Sequence, residues 1–348
     1  MLGATMEDGS PGDRRAGVSG PHSLVELEPV ALEAAGAAAL ACQRWIGRGS
    51  GDGADGAATE AMRAVLANAP GLGTVVVGEG AKDEAPMLFD GEQLGAEGGQ
   101  EFDIAVDPLE CTDLCAMGLP GSLATIAFAA SGSIASLGVA FYMDKLVGPP
   151  ALCGVLDLTA SAETNLERAA AALDKPVEQM RVVVLDKPRH EPLIECLHRA
   201  GASVSSPPAG DVAGALSALL ADGDADLLMG IGGTAEGLLT ACAVRALGGF
   251  MQARLAPQLP DETQAVASAG LSTDRVYELD ELAAGESLFV ATGVTGGALL
   301  RRPWHEDGEI HTDSIVIAAG AVRRVVESRV WPPAPAADDV PSSRGTGR

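Results

Sequence analysis

Phe102-Asp103-Ile104-Ala105-Val106-Asp107-Pro108-Leu109-Glu110-Cys111-Thr112 is the stretch on which the reading of this chain turns. An apolar run stops at Asp107-Pro108, and a second carboxylate and a hydroxyl follow. A strand over 102–106 brings Asp107 and Glu110 into one turn at its end. Two hard oxygen donors so close suit a shared divalent cation, and leave Thr112 and backbone N–H groups to meet a phosphate. The alternative is an Asp-Pro turn with solvated acids.

Three segments elsewhere place further carboxylates at similar positions. Val75-Val76-Val77-Gly78-Glu79-Gly80 ends a buried strand on Glu79 between two glycines, where an open α/β sheet presents functional side chains. The glycine-rich stretch 47–56 contains Asp55, read either as a site carboxylate or as the cap of a helix starting near Ala57. Met229-Gly230-Ile231-Gly232-Gly233-Thr234-Ala235-Glu236-Gly237 joins a strand to an apolar helix, and Glu236 joins the same acidic set. This last segment also fits a dinucleotide fingerprint in form. The acidic residue expected about 20 positions later is missing from Gly249-Phe250-Met251-Gln252-Ala253-Arg254-Leu255. A fifth segment, Leu185-Asp186-Lys187-Pro188-Arg189-His190, offers two cations to a phosphate or simply starts a helix, with His190 as part of that start. Five carboxylates converging without counter-charge raise one another's pKa values; divalent ions remove that difficulty.

Composition narrows the field. The 348 residues are 47% hydrophobic but only 3% aromatic, so the core is built of Ala, Val, Leu and Ile. A formal charge of −25 argues against nucleic-acid binding and requires cations wherever a phosphorylated metabolite is to bind. Six dispersed cysteines without a Cys-x-x-Cys pair read as reduced, buried thiols of a cytoplasmic protein. No apolar run is long enough for a membrane span, and residues 1–22 lack a signal-peptide core.

Along the chain, 1–22 reads as a disordered arm and 332–348 as a disordered tail. Between them lies a single domain, 23–331, with halves of about 23–160 and 161–331. The pattern predicts helices at 24–47, 57–68, 163–173, 190–200, 211–221 and 234–247, with a loop at 48–54. Strands are expected at 74–78, 102–106, 181–186, 202–205, 226–230, 286–292, 298–304, 310–317 and 320–330. The runs 122–130 and 136–142 read as a strand pair about Ser131-Gly132-Ser133. Antiparallel pairs early and β–α alternation later imply layered sheets covered by helices, an α/β fold.

In order and wording these motifs resemble the class II, glycerol-operon type of fructose-1,6-bisphosphatase, within the lithium-sensitive sugar and inositol phosphatase superfamily. The likeness spans about residues 24–330. It is carried by Gly78-Glu79-Gly80 with Asp83-Glu84-Ala85-Pro86-Met87, by Asp103-Ile104-Ala105-Val106-Asp107-Pro108, and by Tyr142-Met143-Asp144-Lys145-Leu146. Lys187-Pro188-Arg189-His190 and Gly230-Ile231-Gly232-Gly233 with Glu236-Gly237 complete it. The resemblance implies a layered α/β/α/β/α sandwich and a requirement for Mg2+ or Mn2+. It implies metal ligation by Asp55, Glu79, Asp107, Glu110 and Glu236, and catalytic roles for Glu79, Asp83 and Thr112, the last positioning the attacking water. Cys111 and Thr112 amides would hold the scissile phosphate. Tyr142, Lys187, Arg189, Asp211, Gly232 and Gly233 would meet the rest of the substrate. The implied reaction removes the 1-phosphate of fructose 1,6-bisphosphate, some members also taking sedoheptulose 1,7-bisphosphate, in a homodimer or homotetramer.

The chain departs from that pattern near the phosphate. Cys111 stands where the family has glycine, Asp113 adds a negative charge, Gly51 replaces a lysine, and Ala209 replaces an acid two positions before Asp211. These changes keep two rivals open: a paralogue acting on another sugar or cyclitol phosphate, and an inactive sugar-phosphate-binding regulator.

Overall fold

The computed structural model describes residues 23–80 and 87–330; the expected arm, the expected tail and Asp83 lie outside the described residues. The first half runs α1 (Glu28–Ala41), α2 (Gly51–Leu66), β1 (Gly71–Val77), β2 (Gln93–Gly95), β3 (Gln100–Glu110), α3 (Thr112–Met117), β4 (Leu123–Ala130) and β5 (Tyr142–Gly148). Then follow α4 (Ala162–Ala172), β6 (Arg181–Val183), α5 (Glu191–Ala200), β7 (Ser203–Ser205), α6 (Asp211–Leu219), β8 (Leu227–Gly233), α7 (Thr234–Leu247) and β9 (Phe250–Leu255). The chain continues through α8 (Pro260–Ser268), β10 (Val276–Glu278), α9 (Leu279–Leu282), β11 (Ser287–Gly293), β12 (Trp304–Glu306), β13 (Glu309–Ala318) and β14 (Ala321–Val330).

Two mixed sheets result. One has the order β12-β13-β11-β4-β3-β1-β2 with β14 also on β13; the other has the order β10-β9-β5-β8-β6-β7. The central strands β3, β4 and β11 of the first sheet are buried on both faces, and the period-2 alternation of side chains sorts them cleanly. Ile104, Val106, Ile126, Phe128, Leu288 and Val290 pack with the alanine-rich faces of α1 and α2. Their neighbours Ala105, Ala127, Ala129, Phe289 and Ala291 face the other way, into a core shared with α6, α7 and the second sheet. On the far side of that sheet, Leu166, Leu197, Val182 and Met229 close a third core under α4 and α5. The layers are therefore α/β/α/β/α. Small residues make this possible, because a helix layer between two sheets must approach both closely.

Several elements differ from expectation, each for a local reason. β3 does not end at Val106: it runs on to Glu110, and Pro108 falls at an irregularity in its pairing with β4 between Asp107 and Glu110. That is a place where a residue without an N–H is tolerated in a central strand. Residues 136–141 form no strand, and β4 instead lies between β3 and β11. Residues 298–303 are also irregular; Arg301 N–H donates to the Asp313 carboxylate at 2.7 Å instead of to a neighbouring strand. β9 is a strand that the apolar pattern does not predict, because Gln252 and Arg254 interrupt it. Gln252 is satisfied there by Leu158 N–H at 2.7 Å and Glu278 at 2.7 Å.

Candidate active site

The acidic residues converge because four different elements finish, or begin, at the same edge of the two sheets. β1 delivers Glu79 just past its end, and β3 delivers Asp107 and Glu110. α7 carries Glu236 in its first turn, and Asp211 opens α6. Asp55 arrives differently from the capping alternative. α2 begins at Gly51, with Ser50 at the cap position, so Asp55 projects from inside the helix.

The carboxylates act on one another. Burial, then the charges of Glu236, Glu110, Glu79 and Asp55, hold Asp107 well above the ordinary carboxylate range. Glu110 is raised in the same way by burial, Asp211 and Glu236, against the Val212 N–H that donates to it at 3.1 Å and the nearby Lys145. Burial and Asp55 push Glu79 up to about 8, while Asp55 shares a hydrogen bond with it and is itself raised by burial. Glu236 is raised by burial and Asp211, with Lys145 opposing. A cavity of about 400 Å³ opens onto Glu79, Glu236, Tyr142, Gly233 and Asp90. A larger cavity, about 580 Å³, passes Ala209 and Gly210 but is lined chiefly by Leu, Pro, Ala and Gly, so the chemistry assigns the smaller one.

Among the described residues, no group of three His, Cys, Asp or Glu side chains stands at metal-coordinating spacing. The donor chemistry nonetheless fits a hard divalent ion. All five candidates are carboxylates, and Oε2 of Glu110 is buried with no hydrogen-bond partner. A cation is the partner that such an atom lacks.

The remaining candidates surround this centre. Thr112 starts α3, its hydroxyl donating to the Leu109 carbonyl at 3.0 Å. Tyr142 stands at the start of β5 with the Arg189 guanidinium 5.2 Å from its ring centre, and Arg189 also donates to the Ile231 carbonyl at 2.8 Å. Gly232 and Gly233 are required by close approach. A Cβ on Gly232 would lie 2.1 Å from Asp211 Oδ2, and one on Gly233 1.8 Å from Glu236 Oε2. Lys187 is half-buried just before the turn Pro188–His190. His190 is neither solvated nor at the centre. Its Nδ1 meets the Leu185 carbonyl at 2.7 Å and its Nε2 accepts from Ile231 N–H at 2.8 Å, bracing the loop of Arg189 against β8. His190 does start a helix, at the N-cap position of α5, as its sequence context predicts. The residue that sequence reasoning misses is Lys145, inside β5, which only its place beside a motif tyrosine marks. All six cysteines are unpaired, and Cys153, expected to be buried, is exposed.

The family model for bacterial fructose-1,6-bisphosphatase, glpX-encoded, matches residues 26–329. The chain belongs to that family. It is 40% identical over 296 residues to a Haemophilus influenzae protein named fructose-1,6-bisphosphatase class 2, covering 81% of this chain and 88% of that protein. It is also 40% identical over 314 residues to a Synechococcus elongatus protein named D-fructose 1,6-bisphosphatase class 2/sedoheptulose 1,7-bisphosphatase, covering 83% and 91%.

Cys111, where the resemblance implies a glycine, adopts φ 62° and ψ 52°, a left-handed conformation that L side chains adopt at a cost of about 1–2 kcal/mol. Its carbonyl accepts from Ser122 Oγ at 3.0 Å, which helps hold the strained turn. Cys111→Gly is expected to stabilise the protein by about 0.5–1 kcal/mol, the relief being partly offset by the glycine's freedom when unfolded. Urea denaturation of the two proteins checks this.

The raised carboxylates also set a pH dependence. Glu79 has an ordinary value of 4.5 and a folded value of about 8. Between these, the folded protein holds a proton that the unfolded chain has released, so stability falls as pH rises through that window. The metal-free protein is expected to melt at progressively lower temperature between about pH 5 and 8, and excess Mn2+ to flatten the slope. A melting temperature that rises over that window without metal would contradict the assignment.

Proposed function

We propose that this protein is a metal-dependent phosphoric monoester hydrolase that converts fructose 1,6-bisphosphate to fructose 6-phosphate and phosphate. The observation that carries the reading is the gathering of Asp55, Glu79, Asp107, Glu110 and Glu236 in one field, beside a cavity lined by Tyr142, against whose ring Arg189 lies. Membership of a fructose-bisphosphatase family, with its divalent-metal dependence, supports it. The five carboxylates would hold Mg2+ or Mn2+, which when bound supplies Lewis-acid polarisation of the phosphoryl oxygen and lowers the pKa of water.

The protein's own residues do the rest. Thr112, beside the acidic cluster at the start of α3, orients the attacking water, and the backbone N–H groups of Cys111 and Thr112 receive the scissile phosphate. Asp83, four residues after Glu79 in the sequence, is assigned a catalytic role by the same resemblance. Arg189 and Lys187 bind the phosphate that is retained, where a guanidinium fork and a point charge offset a strongly acidic protein. Asp211 takes the sugar hydroxyls as an acceptor, and Tyr142 packs against the sugar. Gly232 and Gly233, which make room for the Asp211 and Glu236 carboxylates, are placed at the substrate by the same reading. A cytoplasmic location and assembly as a homodimer or homotetramer belong to the same reading. The six unpaired thiols support the former, and light scattering checks the latter.

Phosphate release measured across fructose 1,6-bisphosphate, sedoheptulose 1,7-bisphosphate, fructose 6-phosphate and inositol phosphates, each with Mg2+ and Mn2+, tests the proposal. Release confined to the bisphosphates is expected. The second bisphosphate earns its place because one relative carries both activities in its name. Release from inositol phosphates alone would overturn the assignment, as would the absence of release from any of them.

A further inference from the structure

Lys145 lies in the middle of β5 with 1% of its surface exposed, deep in a region dense with negative charge. Its amine donates to the Asp211 carboxylate, and to the Gly233 carbonyl at 2.8 Å. Those two partners have consequences. Asp211 is the first residue of α6, and Gly233 ends β8 immediately before α7, which carries Glu236. One ammonium group thus ties together the starts of both helices in the middle layer.

Room is kept for it. A Cβ on Gly232 would sit 2.9 Å from Lys145 Nζ, and one on Gly237 would sit 3.2 Å from its Cδ. Two glycines on two different elements clear the path of one side chain, which marks a built position and not a chance burial. The charged groups facing it are Asp211, Glu110 and Glu236 around the amine, with Asp144 beside it on the same strand. A buried lysine is normally expensive, and here the paired carboxylate and carbonyl satisfy it. Anchoring one oxygen of Asp211 removes most of the rotational freedom of that carboxylate.

We propose that Lys145 is a positioning residue for sugar recognition: it aims Asp211 and holds the Gly233 carbonyl without itself touching the substrate. The inference rests on the sugar-phosphate reading above, in which Asp211 meets the sugar. An orienting contact that is equally present in ground and transition states acts on KM more than on kcat. A lysine serving only as scaffold counter-charge would instead lower thermal stability and leave KM alone.

The experiment compares wild type, Lys145→Met, Asp211→Asn and the double variant. Steady-state kinetics on fructose 1,6-bisphosphate is paired with calorimetric titration of fructose 6-phosphate. Lys145→Met is expected to raise KM by about tenfold or more, with a smaller fall in kcat, and to weaken fructose 6-phosphate binding by a similar factor. The double variant is expected to be no weaker than the worse single one, because the lysine acts through Asp211. Unchanged KM and fructose 6-phosphate affinity in Lys145→Met, with only a lower melting temperature, would overturn the proposal. So would fully additive losses. If Lys145→Met does not fold, Asp211→Asn decides: unchanged KM there leaves Lys145 nothing to position and sinks the idea. Absence of turnover by the wild-type chain would refute the phosphatase reading itself, a result distinct from any of these.

Discussion

Asp107→Asn is expected to lower kcat/KM on fructose 1,6-bisphosphate by at least about 10³, or about 4 kcal/mol of transition-state stabilisation, while raising the melting temperature of the metal-free protein. Both halves follow from one fact. Asp107 is pushed far above its ordinary range by burial and by Glu236, Glu110, Glu79 and Asp55, so ionising it in the folded protein is unfavourable. Asparagine has the same shape and can still accept from Leu109 N–H, which Asp107 Oδ1 now does at 3.2 Å. It removes the repulsion and, with it, a carboxylate that a divalent ion needs. Activity and stability therefore move in opposite directions, as at a site kept under strain for its function. Calorimetry in chelator and phosphate release in excess Mn2+ read the two effects separately. A variant that is less stable without metal, or equally active with it, would remove Asp107 from the site.

Asp103→Ala is expected to do the reverse: a loss of about 3–5 kcal/mol in stability, the same with and without metal. Asp103 lies four residues earlier on the same face of β3, 3% exposed. Its carboxylate accepts from the N–H groups of Gly132, Ser133 and Ile134 at 2.9, 2.8 and 2.9 Å. Three buried donors lose their partner together in the alanine variant. The turn they hold leads from β4 to Leu137 and Gly138, which line the acidic cavity. Equilibrium urea unfolding checks the magnitude, and indifference to Mn2+ separates this aspartate from Asp107. A loss below about 1 kcal/mol would show that water replaces the carboxylate at that turn.

That two aspartates of one motif divide in this way explains what a linear reading can and cannot see. Asp103 and Asp107 both lie on one face of a strand, and only Pro108, Glu110 and Thr112 after Asp107 mark it apart in the sequence. Their neighbours in space set what each does: backbone donors around the first, carboxylates around the second. Asp55 illustrates the same limit. A glycine-rich run suggests a loop and a cap, yet packing against α1 and α3 carries α2 back to Gly51, because tertiary contacts outweigh weak local preferences. Likewise 136–142 had strand composition, but β4 found its partners in β3 and β11, one of them more than 150 residues away in sequence.

The alternation of apolar runs, the helix periods and the spacing of acids beside glycine determined by themselves the layered α/β class and the five metal-site candidates. They do so because side-chain period and backbone freedom are local properties. Which acids share a field, that Cys111 is held left-handed, and that a lysine buried in β5 bridges the starts of α6 and α7 were decided only by the folded arrangement. Electrostatic coupling and hydrogen bonding depend on distances between segments far apart in the chain, and nothing local encodes those distances.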